Sequence, residues 1–167
     1  MKLCHVLTAM ALLYSATTLK AEEFKHPASG LEFRLPKGWT CEAKEDKLFI
    51  ANSDKTLSCV GGVIPMESAK AIFADMRAFL DKLDGFDDVE ITGGPEREQV
   101  NGLEQAWYEG TANIASGETT EEIEWDMTII TGGKAVLFLI GTGNLDKNEK
   151  EYEKFFESIR RIRAEGE

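Results

Sequence analysis

Hydrophobic and polar positions alternate most regularly near the end of the chain, where residues 125–143 read W-D-M-T-I-I-T-G-G-K-A-V-L-F-L-I-G-T-G. Ile123, Trp125, Met127 and Ile129 fall on one side, and Glu122, Glu124, Asp126 and Thr128 on the other. That period of two predicts a strand with one face on a core and one toward water. Ala135 to Ile140 is apolar at every position, which predicts a second strand covered on both faces, at the centre of a sheet. Gly132-Gly133 joins them, a pair that tolerates the positive φ angles of a two-residue hairpin turn.

The remaining periodicity extends this sheet in both directions. Leu31 to Leu35 alternates and stops at Pro36-Lys37-Gly38, and Trp39 opens the next strand. Glu45-Asp46 and Asn52-Ser53-Asp54 read as hairpin turns leading to a strand from Thr56 to Ile64 that Pro65 closes. From Glu67 to Leu83 the period changes to helical, with Ile72, Phe73, Met76, Phe79, Leu80 and Leu83 on one face and Gly85 placed as a cap. A short strand through Val89 and Ile91 ends at Gly93-Gly94-Pro95. Asn101-Gly102 is a strong hairpin signal joining Glu96–Val100 to Leu103–Ala115. A second helix, Asn148 to Arg163, buries Tyr152, Phe155, Phe156, Ile159 and Ile162. Asn148 with Glu151 resembles a capping box, and Arg160, Arg161 and Arg163 suit the helix C-terminus.

The amino terminus departs from this pattern. Lys2, the apolar run Leu3–Ala16 and a small residue at Ala21 read as a signal peptide, residues 1–21, which leaves a single domain over 22–167 in the periplasm or secreted. The apolar run is shorter than the ~20 residues that span a bilayer, and no later segment could. Cleavage removes Lys2 and Lys20 and no acid, so the formal charge moves from −11 to −13. Such a surface disfavours nucleic acid and anionic lipid, and favours a basic protein, a cation or a neutral ligand. Cys41 and Cys59 remain after cleavage. An even pair in an oxidising compartment invites a disulfide, contributing ~3 kcal/mol. A simple meander sets the two residues two strands apart, beyond the ~7 Å Cα limit, unless a bulge or another pairing order intervenes.

Gly30–Trp39 (G-L-E-F-R-L-P-K-G-W), Ala106–Gly110 (A-W-Y-E-G) fed by the Asn-Gly hairpin, the A-V-L-F-L-I strand and Tyr152–Ile159 (Y-E-K-F-F-E-S-I) appear in this order. The series resembles the PsbP/Mog1-like superfamily over nearly the whole mature chain. The resemblance implies an α+β fold, a central antiparallel sheet with helices on both faces (an α/β/α sandwich), and a non-enzymatic binding or assembly role. It transfers no site residues.

Candidate chemistry is sparse. His26 is the only histidine after residue 21, and it reads as a surface residue near the terminus rather than a metal ligand. No G-x-S-x-G or phosphate-binding glycine loop accompanies it. Glu122, Glu124 and Asp126 form an acidic rail, but alternate strand residues stand about 6.7 Å apart, too far to clasp one calcium with oxygens at about 2.4 Å. The rail reads first as a solvated sheet face, although its spacing would also suit an inverting glycosidase. Asp84, Asp87 and Asp88, with Asp81 and Glu90, crowd the loop after the first helix. This loop is the preferred place for a cation or a basic partner. Trp107 shares its strand face with Gln105 and Glu109, an odd setting for a buried indole. No cofactor is expected. The reading that results is an exported binding module for another protein, engaged through an acidic surface. A carrier of small molecules or divalent cations comes second, and a carboxylate hydrolase third.

Overall fold

The structure, a computed structural model, describes residues 23–164 apart from 45, 84, 85, 117, 118, 133, 134 and 144. The expected signal peptide (residues 1–21), Asp84, the expected cap Gly85 and the Gly133 half of the hairpin turn lie outside the described residues. Two antiparallel sheets are present. The smaller orders its strands β1 (Glu23–His26), β2 (Leu31–Arg34) and β10 (Arg163–Ala164). The larger runs β3 (Thr40–Lys44), β4 (Lys47–Ala51), β5 (Leu57–Ile64), β9 (Val136–Gly143), β8 (Thr119–Thr131), β7 (Leu103–Ser116) and β6 (Asp87–Val100). As the uninterrupted apolar run predicts, β9 is central, paired to β5 on one side and β8 on the other.

The pleat of β9 sorts its residues into two cores. Leu137 and Leu139 join Phe33, Trp39, Leu48, Ile50, Phe155 and Ile159. Val136 and Ile140 join Ala69, Met76, Leu80, Trp125, Met127 and Ile129. Helix α3 (Leu145–Arg160) thus supplies the first cluster, while α1 (Met66–Ala74) and α2 (Met76–Leu80) supply the second. Trp39 and Phe155 stack with ring centroids 4.5 Å apart and planes 7° apart, a contact that contributes ~1 kcal/mol beyond its buried area.

Several expectations need correction. The first helix does not run through from Glu67 to Leu83. Asp75 leaves helical geometry (φ −143°), and its carboxylate accepts from the Ala78 backbone N–H at 3.0 Å. An aspartate is a strong N-cap, and here it restarts the helix as α2. Gly93-Gly94-Pro95 does not end a strand, because β6 passes through it by slipping register against β7, first between Ile91 and Gly93 and again between Gly93 and Glu96. The last helix ends at Arg160, and Arg163 lies in β10 rather than at the helix terminus. There Glu32 accepts from Arg163 at 3.1 Å and from Lys25 at 2.6 Å, joining the three strands of the small sheet. Helical geometry is broken at Asn148 (φ −119°), whose side-chain oxygen accepts from Thr56 Oγ1 at 3.3 Å. His26 is not on the surface. It is 1% exposed in β1, with Nδ1 2.9 Å from the Ser29 hydroxyl, and burial lowers its pKa. The Asn101-Gly102 turn is as expected, both residues having positive φ (50° and 76°).

Candidate functional site

One rung crosses the entire larger sheet: Cys41, Ile50, Cys59, Gly141, Asp126, Glu109 and Gly93, each in register with the next. Directly opposed residues project from the same face, and Ile50 and Cys59 belong to the core under α3. Asp126 and Glu109 therefore lie on the α3 face, at the edge of that core. Along this rung the sheet changes from thiols and aliphatic carbon to carboxylates.

Tyr152 sits where the change occurs. A Cβ at Gly141 would stand 3.3 Å from the Tyr152 ring, so the ring rests almost on bare backbone. From that seat the hydroxyl donates to Asp126 Oδ2 at 2.6 Å. Burial raises the pKa of Asp126, the Tyr152 hydrogen bond opposes the shift, and the neighbouring Glu109 and Glu124 charges add to it. The Tyr152 hydroxyl is itself pushed upward by burial and by the Asp126 charge.

Beyond Tyr152 the surface opens into a cleft of about 520 Å³ between α3 and strands β6 to β8. Trp107, Tyr108, Tyr152 and Phe156 give it aromatic walls, and Glu96, Glu109, Asp126, Glu153 and Glu157 give it charge. Among the described residues no lysine or arginine lines it. Among the described residues, the one ion pair made by these carboxylates is the exposed Glu157–Arg161 contact at 4.0 Å. The cleft therefore holds a concentrated negative potential beside flat hydrophobic faces.

Of the acidic positions singled out in the sequence, Asp87, Asp88, Glu122, Glu124 and Asp126 come together on this side of the molecule. Glu124 and Glu122 continue from Asp126 along β8, opposite Thr111 and Asn113, and both are exposed. Asp87 opposes Asn113 from β6, and Asp88 accepts from Asn113 Nδ2 at 3.2 Å. The loop acids and the rail, separate in sequence, are joined through Asn113. Asp126 differs from the expected solvated face, being partly buried and tied to Tyr152. No three His, Cys, Asp or Glu side chains among the described residues are grouped to hold a metal ion.

Cys41 and Cys59 are free thiols in the structure, on either side of Ile50 in β4. The intervening strand is the obstacle that the meander predicted. Burial pushes the Cys41 thiol up to about 12 and raises that of Cys59 as well.

Sequence reasoning missed Glu96, Glu109, Tyr152, Glu153, Phe156 and Glu157 as a site. The available signal was Trp107 sharing a face with Glu109, together with the paired aromatic and acidic residues of Y-E-K-F-F-E, which repeat one helical turn apart.

No family model matches the chain, and no curated protein matches it in sequence. Its likeness is to solved structures, and what it shows is a PsbP-like fold. The solution structure of cyanobacterial PsbP (CyanoP) from Synechocystis sp. PCC 6803 matches with a TM-score of 0.58 at 13% identity, over 92% of this chain and 98% of that one. A protein of Bacteroides thetaiotaomicron VPI-5482 matches with a TM-score of 0.51 at 16% identity, over 89% of this chain and 51% of that one. LpqN, involved in cell envelope biogenesis of Mycobacterium tuberculosis, gives 0.49 at 12% identity, over 85% and 88%. At these identities the likeness is one of fold. No helix among the described residues is long and apolar enough to cross a membrane.

Proposed function

We propose that this chain is an exported, non-catalytic binding module that engages a basic partner protein through the acidic face shared by Glu109, Glu122, Glu124 and Asp126. Residues 1–21 are its signal peptide, ending at Ala21, and residues 22–167 are one domain layered as α1–α2, sheet and α3. The observation that carries the reading is the continuity of the acids. The β7–β8 register sets Glu109 beside Asp126, with Glu124 and Glu122 following along the same strand face. Among the described residues no ion pair neutralises Glu109, Glu122, Glu124 or Asp126. Clustered carboxylates left without internal cations repel one another, and an external cationic surface relieves that repulsion. The occurrence of this fold in proteins of Synechocystis and Bacteroides thetaiotaomicron is compatible with a module whose function lies in its surface rather than in the fold itself.

The test is paired capture from envelope extract of the source organism, with the wild-type chain and the Glu122→Lys/Glu124→Lys variant on separate beads. Both substitutions are at exposed strand positions, so the melting temperature should hold. The reading requires a basic protein that binds wild type, elutes as salt rises, and is lost from the variant. Identical protein profiles on the two sets of beads would refute it.

A further inference from the structure

We infer that Asn101 is a site of spontaneous deamidation, and that its conversion unlatches the carboxyl-terminal strand β10. The inference is independent of the proposed partner, because it concerns the β6–β7 turn and not the acidic face.

The chemistry begins with the residue pair itself. The chain has five asparagines, and Asn101 is the one followed by glycine, whereas Asn52, Asn113, Asn144 and Asn148 precede Ser53, Ile114, Leu145 and Glu149. A residue without a Cβ leaves its own backbone nitrogen unshielded. The turn presents that nitrogen openly. Asn101 and Gly102 are both exposed, nothing lies within 4 Å of the position a Gly102 Cβ would take, and the Gly102 N–H makes no hydrogen bond among the described residues.

In the reaction the Gly102 nitrogen bonds to Asn101 Cγ and the Cγ–Nδ2 bond breaks. The proton that the nitrogen loses leaves with the amide as ammonia. Water then opens the cyclic imide. Opening at Cγ gives aspartate at position 101, and opening at the backbone carbonyl gives isoaspartate, in which the main chain runs through the former side chain. Either product adds one negative charge.

The fold gives this exchange a consequence. Asn101 Nδ2 donates to the Ile162 carbonyl at 3.0 Å. Ile162 is fully buried in the α3 core, between the end of α3 at Arg160 and the start of β10 at Arg163. Arg163 and Ala164 then pair with Glu32 and Leu31. The leaving group of the reaction is therefore the latch between the hairpin and the carboxyl-terminal strand. Aspartate at this position sets a carboxylate, which only accepts, against a carbonyl that only accepts. Isoaspartate lengthens a two-residue turn fixed by the Val100–Leu103 pair. While the latch is closed it restrains the carboxamide, so the folded chain reacts more slowly than the unfolded one.

The test ages the full chain at mildly alkaline pH, once folded and once in guanidinium. Peptide mass mapping follows the conversion, each event adding about one mass unit. In the folded chain Asn101 should convert before the other four asparagines, give both aspartate and isoaspartate, and do so several-fold more slowly than in guanidinium. Asn101→Asp stands in for one product, and its exposed position should leave the fold intact. In that variant the slower of the Arg163 and Ala164 amides should exchange hydrogen about fivefold faster, the effect of one lost hydrogen bond, with the β9 amides unchanged. An unconverted Asn101, earlier conversion at another asparagine, or equal rates in the folded and unfolded chain would overturn the site. Unchanged exchange at Arg163 and Ala164 in the variant would overturn the latch.

Discussion

The Tyr152 hydroxyl donates to Asp126 Oδ2 at 2.6 Å, tying the last helix to the point where the sheet face turns from apolar to acidic. This bond lowers a carboxyl pKa that burial raises. Tyr152→Phe should therefore move the Asp126 pKa further up and destabilise the fold by ~1.5–3 kcal/mol, the usual worth of a hydrogen bond to a charged group. Carboxyl ¹³C titration and urea unfolding read the two effects. A downward movement of the Asp126 pKa would show that the bond does not act as described.

The same carboxyl has a consequence for pH. Its folded pKa lies above its ordinary value of 3.8, so the folded state holds the proton more tightly than the unfolded chain does. The stability this contributes is complete below pH 3.8 and is lost as pH rises through the raised folded value. Asp126→Asn should remove that slope from stability measured across the window. An unchanged slope would assign it to other groups.

His26 titrates with the opposite sign. Its pKa is lowered by burial, so the unfolded chain binds the proton first. Stability should be level above pH 6.5 and fall as pH drops from there toward the lowered folded value. Chemical denaturation of His26→Gln beside wild type should show the decline flattened in the variant, and parallel curves would contradict it.

Gln105 is completely buried, and neither amide atom of its side chain finds a hydrogen-bond partner among the described residues. An amide in that state costs the fold ~1–3 kcal/mol. Gln105→Leu, similar in volume, should raise stability by ~1 kcal/mol or more. Destabilisation would mean that the amide is satisfied in solution.

Cys41 and Cys59 should both alkylate once the chain is denatured without reductant, because Ile50 on the strand between them holds them apart. In the native state both should react slowly, since burial raises each thiol pKa. Intact-mass analysis showing a bridge between these two residues would overturn the separation.

The fold was legible where periodicity is strong. The alternation around Trp125 and the unbroken Ala135–Ile140 run located the two strands that anchor both cores, and Asn101-Gly102 located its turn. Legibility failed where one residue redirects a longer pattern. Asp75 falls on the polar face of a continuous helical stripe, so its capping role is invisible to periodicity. Gly93-Gly94-Pro95 has turn composition, yet long-range pairing with β7 carries the strand through. The small sheet depends on Glu32 joining Lys25 and Arg163, a contact between the two ends of the domain that no local window contains. The cleft was hidden for a related reason. Its acids lie on β6, β7, β8 and α3, and only the register places Glu109 beside Asp126 under Tyr152.

Contact between a basic partner and the acidic face can be read with a photo-cross-linking residue placed in the living source organism. One strain carries the cross-linker at Glu122, on the proposed face, and another at Thr40, an exposed position on β3 at the far edge of the sheet. An adduct with a basic envelope protein is expected from position 122 and none from position 40. An adduct from position 40 alone, or from neither position, would contradict it.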